Sequence, residues 1–291
     1  MKLVIAATPN VAIPTIKNLR QNHEVIVVTQ PDKPSGRGKQ LKASDVSLAF
    51  PDVLKPESES ELREILKGQE LLITIGYGRL LALETLQTPK FGGINLHFSL
   101  LPKWRGAAPV QRTIEAGDKR SGVTVFQMDV GMDTGPIWKQ MEYQIPDGYS
   151  SRDLFGSLAK LGVTAINESL LEIASGSVPT PQNGSPTIAR KVLKSECVID
   201  WSKSAQEIVR KIKAFSFNPG VTTSIRNTPM KISDATSGNS NLAPGELNPL
   251  GEVGTGSGSV QLLHVIPAGK REMSVKEWLN GFKLQPGERF E

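Results

Sequence analysis

Sulfur and imidazole are scarce in this chain. Across 291 residues there is one cysteine, Cys197, and there are three histidines, His23, His97 and His264. A single thiol excludes an intrachain disulfide and any cysteine-cluster metal site, and it suits a reducing, cytoplasmic setting. No apolar run approaches the roughly 20 residues that a membrane span requires. The opening Met1-Lys2-Leu3-Val4-Ile5-Ala6-Ala7-Thr8-Pro9 is apolar but short, and it reads as a first strand rather than a signal peptide. No G-x-G-x-x-G follows that strand. Ala6-Ala7-Thr8-Pro9-Asn10 stands there instead, which argues against a dinucleotide site. Gly254-Thr255-Gly256-Ser257-Gly258 lacks the Lys-Ser/Thr of a phosphate-cradling loop and reads as a hairpin turn.

What remains is an ordinary globular composition, 38 % hydrophobic and 22 % charged, long enough for two domains. The formal charge of +5 and a pI near 9.2 mildly favour a polyanionic partner. Short apolar runs at Leu3–Ala7, Glu24–Thr29, Leu71–Gly76, Gly93–Phe98 and Val123–Met128 alternate with helical patterns such as Glu61–Lys67 and Leu80–Leu86. That rhythm predicts an α/β fold: a Rossmann-like, open, mostly parallel sheet with helices on both faces. Gly135–Ile145 adds a further strand as an antiparallel hairpin, and Ser151–Ser175 carries apolar residues at helical spacing. Pro, Thr, Asn, Gly and Ser then dominate Val178–Ser185 and mark an exit from the first domain. A helical stretch, Ala205–Phe215, and short strands at Val221–Ile225, Met230–Ile232 and Val260–Val265 read as a small C-terminal β-barrel of OB type. The expected division is residues 1–180, a linker over 181–199, and residues 200–291.

The chemistry concentrates in two places. Gly93-Ile94-Asn95-Leu96-His97-Phe98 is a glycine-bounded strand, so Asn95 and His97, two apart, share one face. An amide able to donate to a developing oxyanion then sits beside an imidazole able to take a proton, the pair that acyl transfer needs. The second place is Met128-Asp129-Val130-Gly131-Met132-Asp133-Thr134-Gly135. One of its carboxylates can orient that imidazole and stabilise its cation. Asp133 is the first choice and Asp129 the reserve. Ligands of such sheets gather at the C-terminal strand ends, where His97 and the loop after Met128 are both expected. His23 and His264 read as structural or surface residues. Lys33, Arg37, Lys39 and Lys42, set against Asp32 in a glycine-containing loop, are a candidate phosphate contact or a plain solvated loop.

The long motif Asn95-Leu96-His97, Ser99-Leu100-Leu101-Pro102, Trp104-Arg105-Gly106-Ala107-Ala108-Pro109 and Met128–Gly135 resembles that of the formyltransferases that use 10-formyltetrahydrofolate. The loop Pro31-Asp32-Lys33-Pro34-Ser35-Gly36-Arg37-Gly38-Lys39, the segment Val198–Ser202 and the tail Pro267–Met273 extend the resemblance along nearly the whole chain, to the branch that acts on methionyl-tRNA. It departs from that pattern at Ala7, Val11 and Asn218-Pro219-Gly220-Val221. The resemblance implies Asn95, His97 and Asp133 as catalytic residues. It also implies Ser99, Leu100, Leu101, Pro102, Tyr77 and Gly78 around the folate, and Lys33, Arg37, Lys39 and Lys42 on the tRNA. It implies 10-formyltetrahydrofolate as a consumed cosubstrate, no metal, initiator methionyl-tRNA as acceptor, and a monomer with no obligate protein partner. The alternatives are a formyltransferase or hydrolase with a small-molecule acceptor, and an RNA-binding module on an inactive fold.

Overall fold

The computed structural model describes residues 1–35 and 40–291. Arg37 and Lys39 of the basic loop lie outside the described residues. Two compact units emerge: residues 1–106, 120–144 and 155–188 form the first, and residues 107–119, 145–154 and 189–291 the second.

The first unit is built on a six-stranded sheet. Its strands are β1 (Lys2–Ala7), β2 (Glu24–Val28), β3 (Leu71–Ile75), β4 (Gly93–His97), β5 (Arg120–Gln127) and β6 (Ile137–Gln144), in the order β2-β1-β3-β4-β5-β6. Helices α1 (Ile13–Leu19), α2 (Glu59–Leu66) and α3 (Leu83–Gln87) connect the parallel strands. The long α4 (Ser151–Ala174) follows β6. Helices cover both faces. Strand β3 is buried at all five positions, as a central parallel strand must be when both faces are covered. Strand β6 alternates between half-buried and exposed positions from Lys139 onward, the pattern of an edge strand with one wet face. Helix α2 starts where it does because the Ser58 hydroxyl accepts the Glu61 N–H at 3.2 Å.

The sheet is parallel from β2 to β4 and antiparallel thereafter. This revises one expectation. Strand β5 runs against β4, with Gln127 opposite Ile94 and Thr124 opposite His97. The loop after Met128 therefore leaves from the end of β4 opposite His97, about 10 Å away along the strand, and has to return. Periodicity reports that a strand exists but not its direction, and the short connection through residues 98–119 permits either.

A two-stranded ladder pairs Lys33–Ser35 with Gln40–Lys42. In the second unit, α5 (Ala205–Phe215) begins at a reciprocal cap between Ser204 and Glu207 and buries Ile208, Ile212 and Phe215. Five antiparallel strands follow: β7 (Val221–Ile225), β8 (Thr228–Ser237), β9 (Glu252–Gly254), β10 (Ser259–Pro267) and β11 (Met273–Ser274). The turn between β9 and β10 is the glycine-rich Gly254–Gly258 stretch. Helix α6 (Val275–Phe282) brings Trp278 to Phe290, which stacks on Trp201 at 5.4 Å between ring centroids. The helix Pro109–Ala116 belongs to this unit, a placement that its position between β4 and β5 does not suggest.

Candidate active site

Strand β4 sets two side chains on one face. Ile94 and Leu96 point into the core, fully buried, so Asn95 and His97 face the other way. Asn95 is half-buried. Its Oδ1 accepts from the Thr74 hydroxyl at 2.8 Å. Thr74 stands directly beside Asn95 in the parallel β3–β4 register. With the carbonyl end held, the Nδ2 end of the amide is left to donate outward. Thr74 is a residue that sequence reasoning missed, although a lone hydroxyl within Leu-Leu-Ile-Thr-Ile was a signal.

His97 is only 5 % exposed. Its Nε2 lies 2.9 Å from the Trp104 carbonyl oxygen. A carbonyl only accepts, so Nε2 carries the proton and Nδ1 carries the lone pair. Nδ1 lies 3.6 Å from Asp133 Oδ2, too long for a hydrogen bond but close enough to stabilise a proton arriving there. Burial pushes the His97 imidazole below its ordinary value, while the Asp133 carboxylate and the Trp104 carbonyl pull it back up. The ring is thus held neutral, with its accepting nitrogen beside a carboxylate. His97 also meets the Phe126 ring in a T-shaped arrangement, 6.5 Å between centroids.

Asp133 Oδ2 accepts the Gly106 N–H at 2.7 Å. Asp129 has a different task. Its carboxylate accepts from the Thr134 hydroxyl at 2.8 and 2.9 Å and from the Gly131 N–H at 3.0 Å, closing the turn that turns the loop back. Two residues beside the imidazole sit in the left-handed region without being glycine, Trp104 at φ 62° and Asp133 at φ 55°. Such positions cost roughly 1–2 kcal/mol each and persist only where neighbours hold them. Trp104 donates its N–H to Thr187 Oγ1 at 2.9 Å, and the Asp133 carbonyl accepts from Gln182 Nε2 at 2.8 Å.

The remaining sequence-designated residues fall around this centre unevenly. Ser99 is buried and its hydroxyl donates to the Lys103 carbonyl at 2.6 Å. Leu101 is buried, with its N–H on Thr124 Oγ1 at 3.1 Å and its carbonyl on Gln140 Nε2 at 2.9 Å. Leu100 and Pro102 are half-buried. The Tyr77 ring is not turned outward: it packs with Val4, Leu62, Leu72 and Leu86 in the core, and burial raises its hydroxyl above the ordinary value. Its carbonyl, next to Gly78, accepts from Thr8 Oγ1 at 3.2 Å and from the Gln30 amide. Lys33 and Lys42 are exposed and directly opposite one another in their ladder. Among the described residues no group of His, Cys, Asp and Glu is arranged to hold a metal, and no helix is long and apolar enough to cross a membrane.

The arrangement is that of an acyl-transfer centre: an amide donor, a neutral base and a carboxylate around one strand end. Residues 1–170 match the formyl transferase family, and residues 191–283 match the formyl transferase C-terminal domain. The chain belongs to the formyltransferase family, and within it to the methionyl-tRNA formyltransferases. It is 38 % identical over 296 residues to the methionyl-tRNA formyltransferase of Clavibacter sepedonicus, covering 97 % of both chains. It is 37 % identical to that of Neisseria meningitidis serogroup A, covering 99 % of both. Among solved structures, an N-formyltransferase from Helicobacter canadensis, crystallised with folinic acid and dTDP-3-aminofucose, shares the fold at a TM-score of 0.67 and 24 % identity. That match covers 94 % of this chain and 100 % of the other. Methionyl-tRNA formyltransferase from Clostridium thermocellum matches at a TM-score of 0.63 and 17 % identity, over 84 % of this chain and 96 % of the other.

Proposed function

We propose that this enzyme transfers the formyl group of 10-formyltetrahydrofolate to the α-amino group of methionine carried by initiator tRNA, in the cytoplasm and as a monomer. The observation that carries the reading is the face of β4, where the Asn95 amide and the Nδ1 side of His97 stand together with Asp133 at 3.6 Å from the ring. The neutral amine attacks the formyl carbon. Asn95 Nδ2 donates to the formyl oxygen as negative charge gathers on it. Nδ1 of His97 takes the amine proton, and Asp133 stabilises the imidazolium so formed. The bond from the formyl carbon to the folate nitrogen breaks, that nitrogen takes up the proton held on His97, and tetrahydrofolate leaves with the ring neutral again.

On this reading the Ser99–Pro102 turn and the Tyr77-Gly78 main chain border the folate. Because Ser99, Leu101 and Tyr77 are buried, the reading leaves that task to backbone and to the half-buried Leu100 and Pro102. The loop holding Lys33, Arg37, Lys39 and Lys42 contacts the tRNA. Lys33 and Lys42 sit cross-strand as a like-charge pair, which is unfavourable by itself and becomes favourable against phosphate. Residues 1–180 supply catalysis, 181–199 the linker and 200–291 a further tRNA surface, where 11 basic residues stand against 8 acidic ones from Lys203 onward. The test is to incubate the protein with 10-formyltetrahydrofolate and charged methionyl-tRNA, with free methionine and an amino sugar as controls. Formylation of the tRNA-bound amine alone is expected. Formylation of the amino sugar in its place would move the acceptor to the small-molecule class.

A further inference from the structure

Composition marks the stretch after Val178 as a way out of the first unit, yet it is tied to both walls of the candidate site. One half-buried side chain in this mostly exposed run does most of the tying: Gln182. Its Oε1 accepts from Arg105 Nη2 at 2.7 Å and from Arg105 Nε at 3.2 Å. Its Nε2 donates to the carbonyls of Asp133 at 2.8 Å and Gly135 at 2.9 Å. All four hydrogen-bonding positions of the amide are filled. The orientation is chemically unique, because a guanidinium only donates and a carbonyl only accepts. A flipped amide would set donor against donor and acceptor against acceptor.

Both ends of this bridge lead to His97. Arg105 lies between Trp104, whose carbonyl holds Nε2, and Gly106, whose N–H holds the Asp133 carboxylate. Asp133 and Gly135 belong to the loop that must return from the far end of β4. We infer that Gln182 is a positioning residue of the formyl-transfer site, holding the Asp133 carboxylate against His97 by clamping the main chain of the Asp133 loop to Arg105. The inference deepens the formyl-transfer reading and rests on it for the rate measurements alone.

Among the described residues, the groups set against the His97 ring are the Asp133 carboxylate, the Trp104 carbonyl and the steeply inclined Phe126 ring, so the ring itself reports where Asp133 is. Gln182→Ala, Gln182→Glu, Asp133→Asn and the double variant Gln182→Ala/Asp133→Asn are compared in the full chain by steady-state formylation and by NMR titration of the histidines. Gln182→Ala is expected to lower kcat about 10- to 100-fold, the range for a displaced catalytic group, with KM for the folate donor within about threefold. In the Asp133→Asn background the same change adds less than about twofold, because its effect runs through that carboxylate. The His97 titration moves downward in Gln182→Ala as it does in Asp133→Asn, while that of His23 stays in place and reports an intact fold. Gln182→Glu keeps the acceptor for Arg105 but loses both donors, so it behaves like Gln182→Ala, and it carries the comparison if Gln182→Ala does not fold. A near wild-type Gln182→Glu, an equal cost of Gln182→Ala in both backgrounds, or an unmoved His97 titration would each overturn the inference. Absence of formylation by the unaltered protein would overturn the formyl-transfer reading instead, and the titration would still decide whether Gln182 sets Asp133 against the ring.

Discussion

On the proposed reading, Asn95 and His97 do different work although they share a strand face. Asn95 would be a donor aimed by Thr74, with its contribution confined to the moment when charge gathers on the formyl oxygen. Asn95→Ala is therefore expected to lower kcat by about 100- to 1000-fold, with folate binding unchanged, as single-turnover kinetics and donor titration would show. His97 is already neutral at physiological pH because burial depresses its basicity. The acid limb of the kcat/KM profile then belongs to the amine nucleophile and not to the ring. Asp133→Asn removes the carboxylate that favours the imidazolium, so the plateau should fall while the acid limb stays where it is. A limb that moved with this substitution would return control of the profile to His97. The shared face of Asn95 and His97 was readable from strand alternation. The sequence puts Asp133 ahead of Asp129, but the contacts that separate the two are seen only in the folded loop, where Asp129 is occupied with Thr134 and Gly131.

Two elements carry the site in ways their own sequences express unequally. The β3 run Leu71–Ile75 declares a buried central strand by composition, whereas β5 conceals that it runs antiparallel to β4. Its loop succeeds in returning because Gly135 lies against the Gln127 carbonyl so closely that a Cβ there would come within 1.8 Å of the oxygen. Glycine at that position is readable as a turn residue, but the close approach that requires it is not. The Lys33–Ser35/Gln40–Lys42 ladder sets two lysines opposite each other. Lys42→Gln should leave folate kinetics unchanged, weaken methionyl-tRNA use and reduce the salt dependence of tRNA binding by about one phosphate contact. Filter binding over a range of salt concentrations checks this, and an unchanged slope would remove Lys42 from the tRNA surface.

For the whole molecule, titration of the histidines links the site to stability. His97 and His23 are both depressed, His97 by burial and His23 by burial and the neighbouring N-terminus. Below their ordinary value of 6.5 the unfolded chain takes up protons that the folded chain refuses. Their contribution is therefore whole above about pH 6.5 and is lost as pH falls through the depressed folded values. Tm measured at successive pH values should decline on the acid side of that point, and His97→Gln should decline less steeply. An identical decline in the variant would assign the effect to the carboxylates, which act at lower pH. The division of the chain into units is also a property of the whole. The composition change after Val178 signals the passage to the second unit, yet the helix Pro109–Ala116 and residues 145–154 belong there too, which a left-to-right reading of the chain does not reveal.

The amino-acid order by itself determined the α/β character of the first unit, the helix at Ala205–Phe215 and the common face of Asn95 and His97. Each of these follows from periodicities or spacings within a few residues, which the backbone geometry of one element enforces. Only the tertiary structure decided the direction of β5, how closely a carboxylate approaches the imidazole, the pairing of Thr74 with Asn95 and the bridge from Gln182 to Arg105 and Asp133. Those contacts join residues up to 77 positions apart, and they exist only once strand register and loop return have brought separate stretches of chain to the same point.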